Sequence, residues 1–255
     1  MAELTPANSL PSVTGLDWRG VRYFSTVRQG GVSTGPCASL NLGRHTQDNI
    51  DHVVENRRRL RAELPAEPFW LNQVHGVEVA DADLPADVPP SADAAVTAQK
   101  DRVLVIMTAD CLPVVIADDE GSVLGVAHAG WRGLLNGVLE ETLRRLQAKR
   151  PQTSRWRAWI GPGISQRHFE VGADVQAAFV DRDRRSADFF VEKIAHEKWL
   201  ADLPGLARFR LQEAGVGQVE LSGYCTFGEA ERFYSYRRER DTGRLATVAW
   251  LPEGR

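Results

Sequence analysis

The spacing of apolar residues changes along this chain, and the changes mark out its elements. Val103–Thr108, Pro113–Asp118 and Ser122–His128 are dense in apolar and β-branched residues, as strands covered on both faces are. Asp119-Glu120-Gly121 separates the last two as a turn signal. Leu134, Leu135, Val138, Leu139, Leu143 and Leu146 then recur at helical spacing and predict one amphipathic helix running to about Lys149. Ile50, Val53, Val54 and Leu60 give a similar stripe over Asn49–Leu64, with Asp48 or Asn49 as its cap. Helices are also expected over Val171–Val180 and over Leu203–Ala214, where Pro204 fits the first turn. Strands are expected at Arg22–Val27, Pro68–Leu71, Val77–Ala80, Arg157–Ile160, Gln218–Ser222, Phe233–Tyr236 and Leu245–Leu251. Hairpins interrupt the alternation of strand and helix. The expected fold is therefore α+β, a single domain over 1–255 with mixed β-sheets packed together and flanking helices. The Ala/Pro/Asp-rich stretch Asp81–Ala95 is linker-like, and residues 1–17 are expected to form a loosely ordered N-terminal segment.

Composition narrows the function classes. With 255 residues, 43% hydrophobic and 25% charged, the chain can bury a core without disulfides or a structural metal. Lys plus Arg number 31 against 34 Asp plus Glu, a net charge of −3 that gives no basic field for nucleic acid. No apolar run approaches the roughly 20 residues a membrane span needs. Met1–Val13 has no basic start followed by an apolar run, so no signal peptide is expected. Three cysteines without a CxxC pair point to the reducing cytoplasm.

The hairpin closing near Glu120 sets residue 112 opposite residue 128 and brings Cys111 close to His128, within a residue or two of register. A thiol and an imidazole at neighbouring strand ends are either a nucleophile with its base or two metal ligands. Asp110 precedes the cysteine, where it could orient a ligand, act on a proton or bond turn amides. His75, in the polar loop Asn72-Gln73-Val74-His75-Gly76, is a possible third ligand.

Three segments carry a family resemblance: Asn72–Gly76, Thr108-Ala109-Asp110-Cys111-Leu112-Pro113-Val114, and His128-Ala129-Gly130-Trp131-Arg132-Gly133. Gly30–Ser33, Ser39–Gly43, Glu55–Arg57, Gly161-Pro162, Phe169–Gly172, Cys225-Thr226 and Ser235–Arg237 extend it over nearly the whole chain. Together they resemble the YfiH-like family, first described as multicopper polyphenol oxidases or laccases and later as purine nucleoside phosphorylases with adenosine deaminase activity. The resemblance implies that His75, Cys111 and His128 ligate one metal, usually zinc with copper possible, and leave a fourth position open. It implies a purine nucleoside and phosphate as small-molecule substrates. Its rivals are a peptidoglycan-precursor editing amidase and, less in keeping with only six histidines, a copper-dependent laccase.

Substrate contacts are expected at five further residues. Arg28, Ser39 and Asn41 match the family's N-terminal motif, where a guanidinium beside a Gly-Gly turn suits phosphate or ribose. Val27 stands where many relatives have Thr. Arg132, at a strand-to-helix turn, and Arg237, in Ser235-Tyr236-Arg237, are the other two.

Overall fold

The structure, a computed structural model, describes residues 10–193 and 198–254. The first half of the chain contributes β1 (Ser12–Val13), β2 (Arg22–Thr26), α1 (Ile50–Ala62), β3 (Val79–Asp81), β4 (Ala94–Thr97), β5 (Leu104–Thr108), β6 (Leu112–Asp118) and β7 (Leu124–Ala129). The second contributes α2 (Trp131–Asn136), α3 (Val138–Lys149), β8 (Trp156–Ile160), β9 (Glu170–Gly172), α4 (Ala173–Arg182), β10 (Phe190–Glu192), β11 (Lys198–Ala201), α5 (Leu203–Glu213), β12 (Gln218–Leu221) and β13 (Leu245–Trp250).

The central apolar runs are strands buried on both faces, and their two-residue period sorts side chains between two cores. Leu112, Val114 and Ile116 of β6 meet Leu139, Leu143 and Leu146 of α3, while Val115 and Ala117 face the other way, against Leu104 and Ile106 of β5. Residues Val103 and Val105 turn outward again, towards Leu60 of α1. The result is four layers: α3 and α5, a six-stranded sheet, a four-stranded sheet, then α1. The six-stranded sheet runs β12-β8-β6-β7-β4-β3 and is mixed, with parallel pairs at both edges. The four-stranded sheet, β1-β2-β13-β5, is antiparallel, and β10-β11-β9 form a small third sheet. One domain of α+β type is thus observed, as the sequence predicts.

Several elements differ from expectation for local reasons. The helix expected from Leu134 to Lys149 is two helices, because Gly137 turns left-handed (φ 101°) between α2 and α3. The β6–β7 hairpin sets Leu112 opposite Ala129 and Pro113 opposite His128, one residue from the expected register. Phe233–Tyr236 is irregular, since Ser235 and Arg237 bond a side chain rather than a neighbouring strand. Pro68–Leu71 contributes only an isolated bridge between Phe69 and Leu104. Val171 belongs to β9, so its helix starts two residues later. Of the α1 stripe, Val53 and Leu60 are buried but Ile50 and Val54 are exposed; Asn49 is the cap, its side chain accepting from the Asp51 amide. The linker-like Asp81–Ala95 contains the end of β3 and the start of β4. Residues 1–9 of the expected loose segment lie outside the described residues, whereas Ser12 and Val13 pair with Thr26 and Ser25.

Candidate metal centre and substrate cavity

Three elements converge at one end of the β6–β7 hairpin. Cys111 immediately precedes β6, His128 is the penultimate residue of β7, and His75 sits in the loop before β3. Their ligand atoms, two imidazole nitrogens and a thiol sulfur, all lie within 4.8 Å of one another. His128 is buried, Cys111 half-buried and His75 exposed, so the cluster opens on one side. The two rings meet edge to face with centroids 4.8 Å apart.

Asp93 builds this cluster, and no sequence motif singles it out. The antiparallel register of β4 and β7 sets it beside His128, whose amide donates to the Asp93 carbonyl at 2.7 Å. The fully buried carboxylate then bonds His128 Nδ1 at 2.8 Å. It also accepts the successive amides of Val74 (3.1 Å), His75 (2.9 Å) and Gly76 (2.6 Å), pinning a loop in which His75 has φ 61°. With Nδ1–H given to Asp93, Nε2 of His128 is the nitrogen free for a metal. Gln73 secures the other side of the loop by bonding both the amide and the carbonyl of Met107 in β5, each at 2.8 Å.

Electrostatics match a cation site. Burial pushes the Asp93 carboxyl up, but His128 and the loop amides outweigh it and hold it below the usual carboxylate range. Burial likewise opposes charge on Cys111 and His128. Their mutual attraction prevails: His128, with His75, draws the thiol down, and Cys111, with Asp93, draws the imidazole up. Without a metal this favours a thiolate beside a protonated His128; a cation that displaces that proton would meet one thiolate and two imidazoles, a donor set suited to zinc and also to copper.

Space around the cluster is tight. A Cβ on Gly130 would come within 2.9 Å of the Cys111 sulfur and 3.3 Å of the His75 ring. Gly130→Ala is therefore expected to weaken zinc binding about tenfold or more by displacing ligands, with the fold intact. Zinc competition against a chromophoric chelator, beside circular dichroism, checks this; unchanged affinity would contradict the packing argument.

The cluster lies in a cavity of about 820 Å³, whose wall includes Trp131, Arg132, Tyr236, Arg237, Arg240 and Arg244. That volume is within the ~300–1,000 Å³ typical of small-molecule sites. Arg132 extends over the Trp131 ring at 4.3 Å, and its guanidinium meets no carboxylate or carbonyl among the described residues. Arg237 donates from Nη1 to the Glu170 carbonyl at 2.8 Å. Arg240 and Arg244 were not expected from the sequence; they lie in an irregular segment, where Arg244 is half-buried and donates from Nη1 to the carbonyls of Thr242 (2.8 Å) and Gly243 (3.0 Å).

Asp110 also lines the cavity, with φ 99°. Its carboxylate accepts from Thr226 Oγ1 (2.7 Å), Ser235 Oγ (3.0 Å) and the Arg237 amide (2.6 Å), tying the C-terminal segment to the start of β6 beside Cys111. Arg28, Ser39 and Asn41 do not line the cavity. Arg28 donates to the carbonyls of Ala38 (2.8 Å) and Ala230 (2.9 Å), and Ser39 bridges the Arg28 carbonyl and the Gly31 amide. Asn41 is fully buried, and its Oδ1 accepts the Arg244 amide at 2.9 Å. This N-terminal motif therefore folds a loop, and Asn41 meets the cavity wall through the backbone of Arg244.

Comparison with known proteins identifies the family. The family model described as multi-copper polyphenol oxidoreductase laccase matches residues 22–252. A protein of Xylella fastidiosa (strain Temecula1) named purine nucleoside phosphorylase is 48% identical over 252 aligned residues, covering 92% of this chain and 95% of its own. The Escherichia coli K12 protein named purine nucleoside phosphorylase YfiH is 46% identical, covering 91% and 95%. A Neisseria meningitidis crystal structure superposes with a TM-score of 0.88 at 40% identity, over 96% of this chain and all of that one. The chain thus belongs to the laccase-like YfiH family, in which its relatives carry the name purine nucleoside phosphorylase.

Proposed function

We propose that the protein is a zinc-dependent purine nucleoside phosphorylase of the cytoplasm, acting on adenosine, inosine or methylthioadenosine, with adenosine deaminase activity in the same cavity. One observation carries this reading: a His–Cys–His cluster opens into a cavity whose wall bears four guanidinium groups. No helix of the described residues is long and apolar enough to cross a membrane.

His75, Cys111 and His128 would hold the metal, and Asp93 orients two of them. When bound, the metal would supply a Lewis acid and a water of lowered pKa. In phosphorolysis, a phosphate oxygen bonds to the ribose anomeric carbon as the bond to the purine breaks, and the electron pair leaves with the base. Arg132, Arg237, Arg240 and Arg244 neutralise and place the phosphate, and Trp131 offers a stacking face to the base. Asp110 is assigned a positioning role, since three hydrogen bonds already occupy its carboxylate. In deamination, water adds to the purine ring and ammonia leaves, which needs the same base pocket without phosphate. The laccase activity in the family's description is less well supported. Only one group of three such ligands occurs among the described residues, and a multicopper oxidase needs several centres.

Product analysis of metal-quantified protein with adenosine tests the reading. Adenine and ribose 1-phosphate forming only with phosphate are expected, together with phosphate-independent inosine from deamination. Neither product from protein carrying one zinc would overturn it. Arg132→Ser is expected to raise the phosphate KM about tenfold, the scale of one charge-assisted contact, with a smaller change in kcat. An unchanged KM would remove Arg132 from the phosphate site.

A further inference from the structure

A second trough, of about 620 Å³, meets the catalytic cavity along a wall shared by His45, Leu71, Asn72 and Met107. Its lining is strongly cationic. Arg58 and Arg61 have carboxylate partners, Glu55 at 2.7 Å and Glu67 at 3.8 Å. Arg44 and Arg57 have no carboxylate within ion-pair distance among the described residues. Arg57 is half-buried and sits over Trp70, its guanidinium carbon 3.6 Å from the ring centre. It donates from Nε to the Leu42 carbonyl at 2.9 Å, and Nη2 contacts the Met107 sulfur at 3.7 Å. Burial, then the nearby Arg44, lowers its pKa to about 10.

An enclosed guanidinium without a carboxylate is costly, and an incoming anion removes that cost. Among the described residues Glu67 favours the charge on Arg57 from beyond ion-pair distance, no carboxylate pairs with it directly, and Arg44 acts against that charge. Arg44 and Arg57 both line this trough, and guanidinium groups suit the oxygens of a phosphoryl group. The trough joins the cavity at the side of the His75 loop, so a ligand can extend from one into the other.

From this arrangement we infer that the trough binds the phosphoryl group of a nucleoside phosphate whose base and ribose occupy the catalytic cavity. The inference rests on the nucleoside reading of that cavity. It widens the substrate class from nucleosides to nucleotides, with Arg44 and Arg57 as the residues that recognise the added charge.

Calorimetric titration of the metal-loaded protein with AMP, adenosine and inorganic phosphate tests it, in the wild type, Arg44→Ser and Arg57→Gln. Adenosine turnover is measured on the same samples. AMP is expected to bind about tenfold more tightly than adenosine, and each substitution should abolish most of that advantage. Adenosine turnover in Arg44→Ser should stay within about twofold of the wild type, because Arg44 does not line the catalytic cavity. AMP binding no tighter than adenosine, or an advantage that survives Arg44→Ser, overturns the inference. Inorganic phosphate binding as tightly as AMP, with the same dependence on Arg44, also overturns it and makes the trough a site for free phosphate. Arg44-dependent AMP binding without adenosine turnover would leave the trough standing and refute the phosphorylase reading.

Discussion

Asp93→Asn is expected to lower zinc affinity about 10- to 100-fold, the usual effect of losing a group that orients metal ligands. Asp93 does not line the cavity. Its carboxylate holds both histidines, His128 through Nδ1 and His75 through the loop amides. An amide at this position keeps the size but removes the charge, and its NH2 faces donors where an acceptor is needed. His128 is then free to take the other tautomer, with its proton on the nitrogen the metal requires. Asp93→Ala should do more: it leaves three loop amides without their acceptor and destabilises the protein by about 1–3 kcal/mol or more. Zinc competition and thermal melts with and without chelator separate the two effects. Wild-type zinc affinity in folded Asp93→Asn would show that the carboxylate does not act on the metal site.

Cys111→Ser is expected to abolish stoichiometric zinc binding and to cut nucleoside turnover at least ~10³-fold, the scale of losing a core catalytic group. A serine hydroxyl stays protonated at neutral pH and cannot replace a thiolate that His128 and His75 favour. The fold should survive, because the strand it precedes is held by Leu112, Val114 and Ile116 in the core. A chelator should lower the melting temperature of the wild type and leave the variant's unchanged. Turnover that persists in Cys111→Ser would contradict the ligand role. Alkylation of Cys111 at full zinc occupancy would instead favour a free nucleophile.

What could be read from the sequence followed the range of the interactions. The two-residue period of β6 and β7 and the turn at Gly121 were enough to bring Cys111 near His128. The one-residue error in register arose because a turn signal fixes where a hairpin closes only to within a residue. His75 is assigned as a candidate ligand through the family resemblance, since its place depends on contacts from Asp93 and Met107 that no spacing reveals. Asp93 was hidden by composition: the Ala/Pro/Asp stretch around it resembles a linker, and the short run Ala94–Thr97 is weak evidence for a strand. Arg28, Ser39 and Asn41 were recognisable as a polar motif. Their partners, Ala230 and Arg244 among them, lie some 200 positions away, so the motif alone could not tell a loop scaffold from a phosphate site. Gly137 breaks a helix whose apolar spacing continues without interruption, because Leu134 and Val138 face the same core.

The most direct test of a one-metal nucleoside phosphorylase is a zinc titration of metal-free protein, following phosphate-dependent release of adenine from adenosine. Activity should rise linearly with added zinc and stop at one equivalent per chain, and Cys111→Ser should stay at background throughout. Full activity before any metal is added, or none at one equivalent of bound zinc, would contradict it.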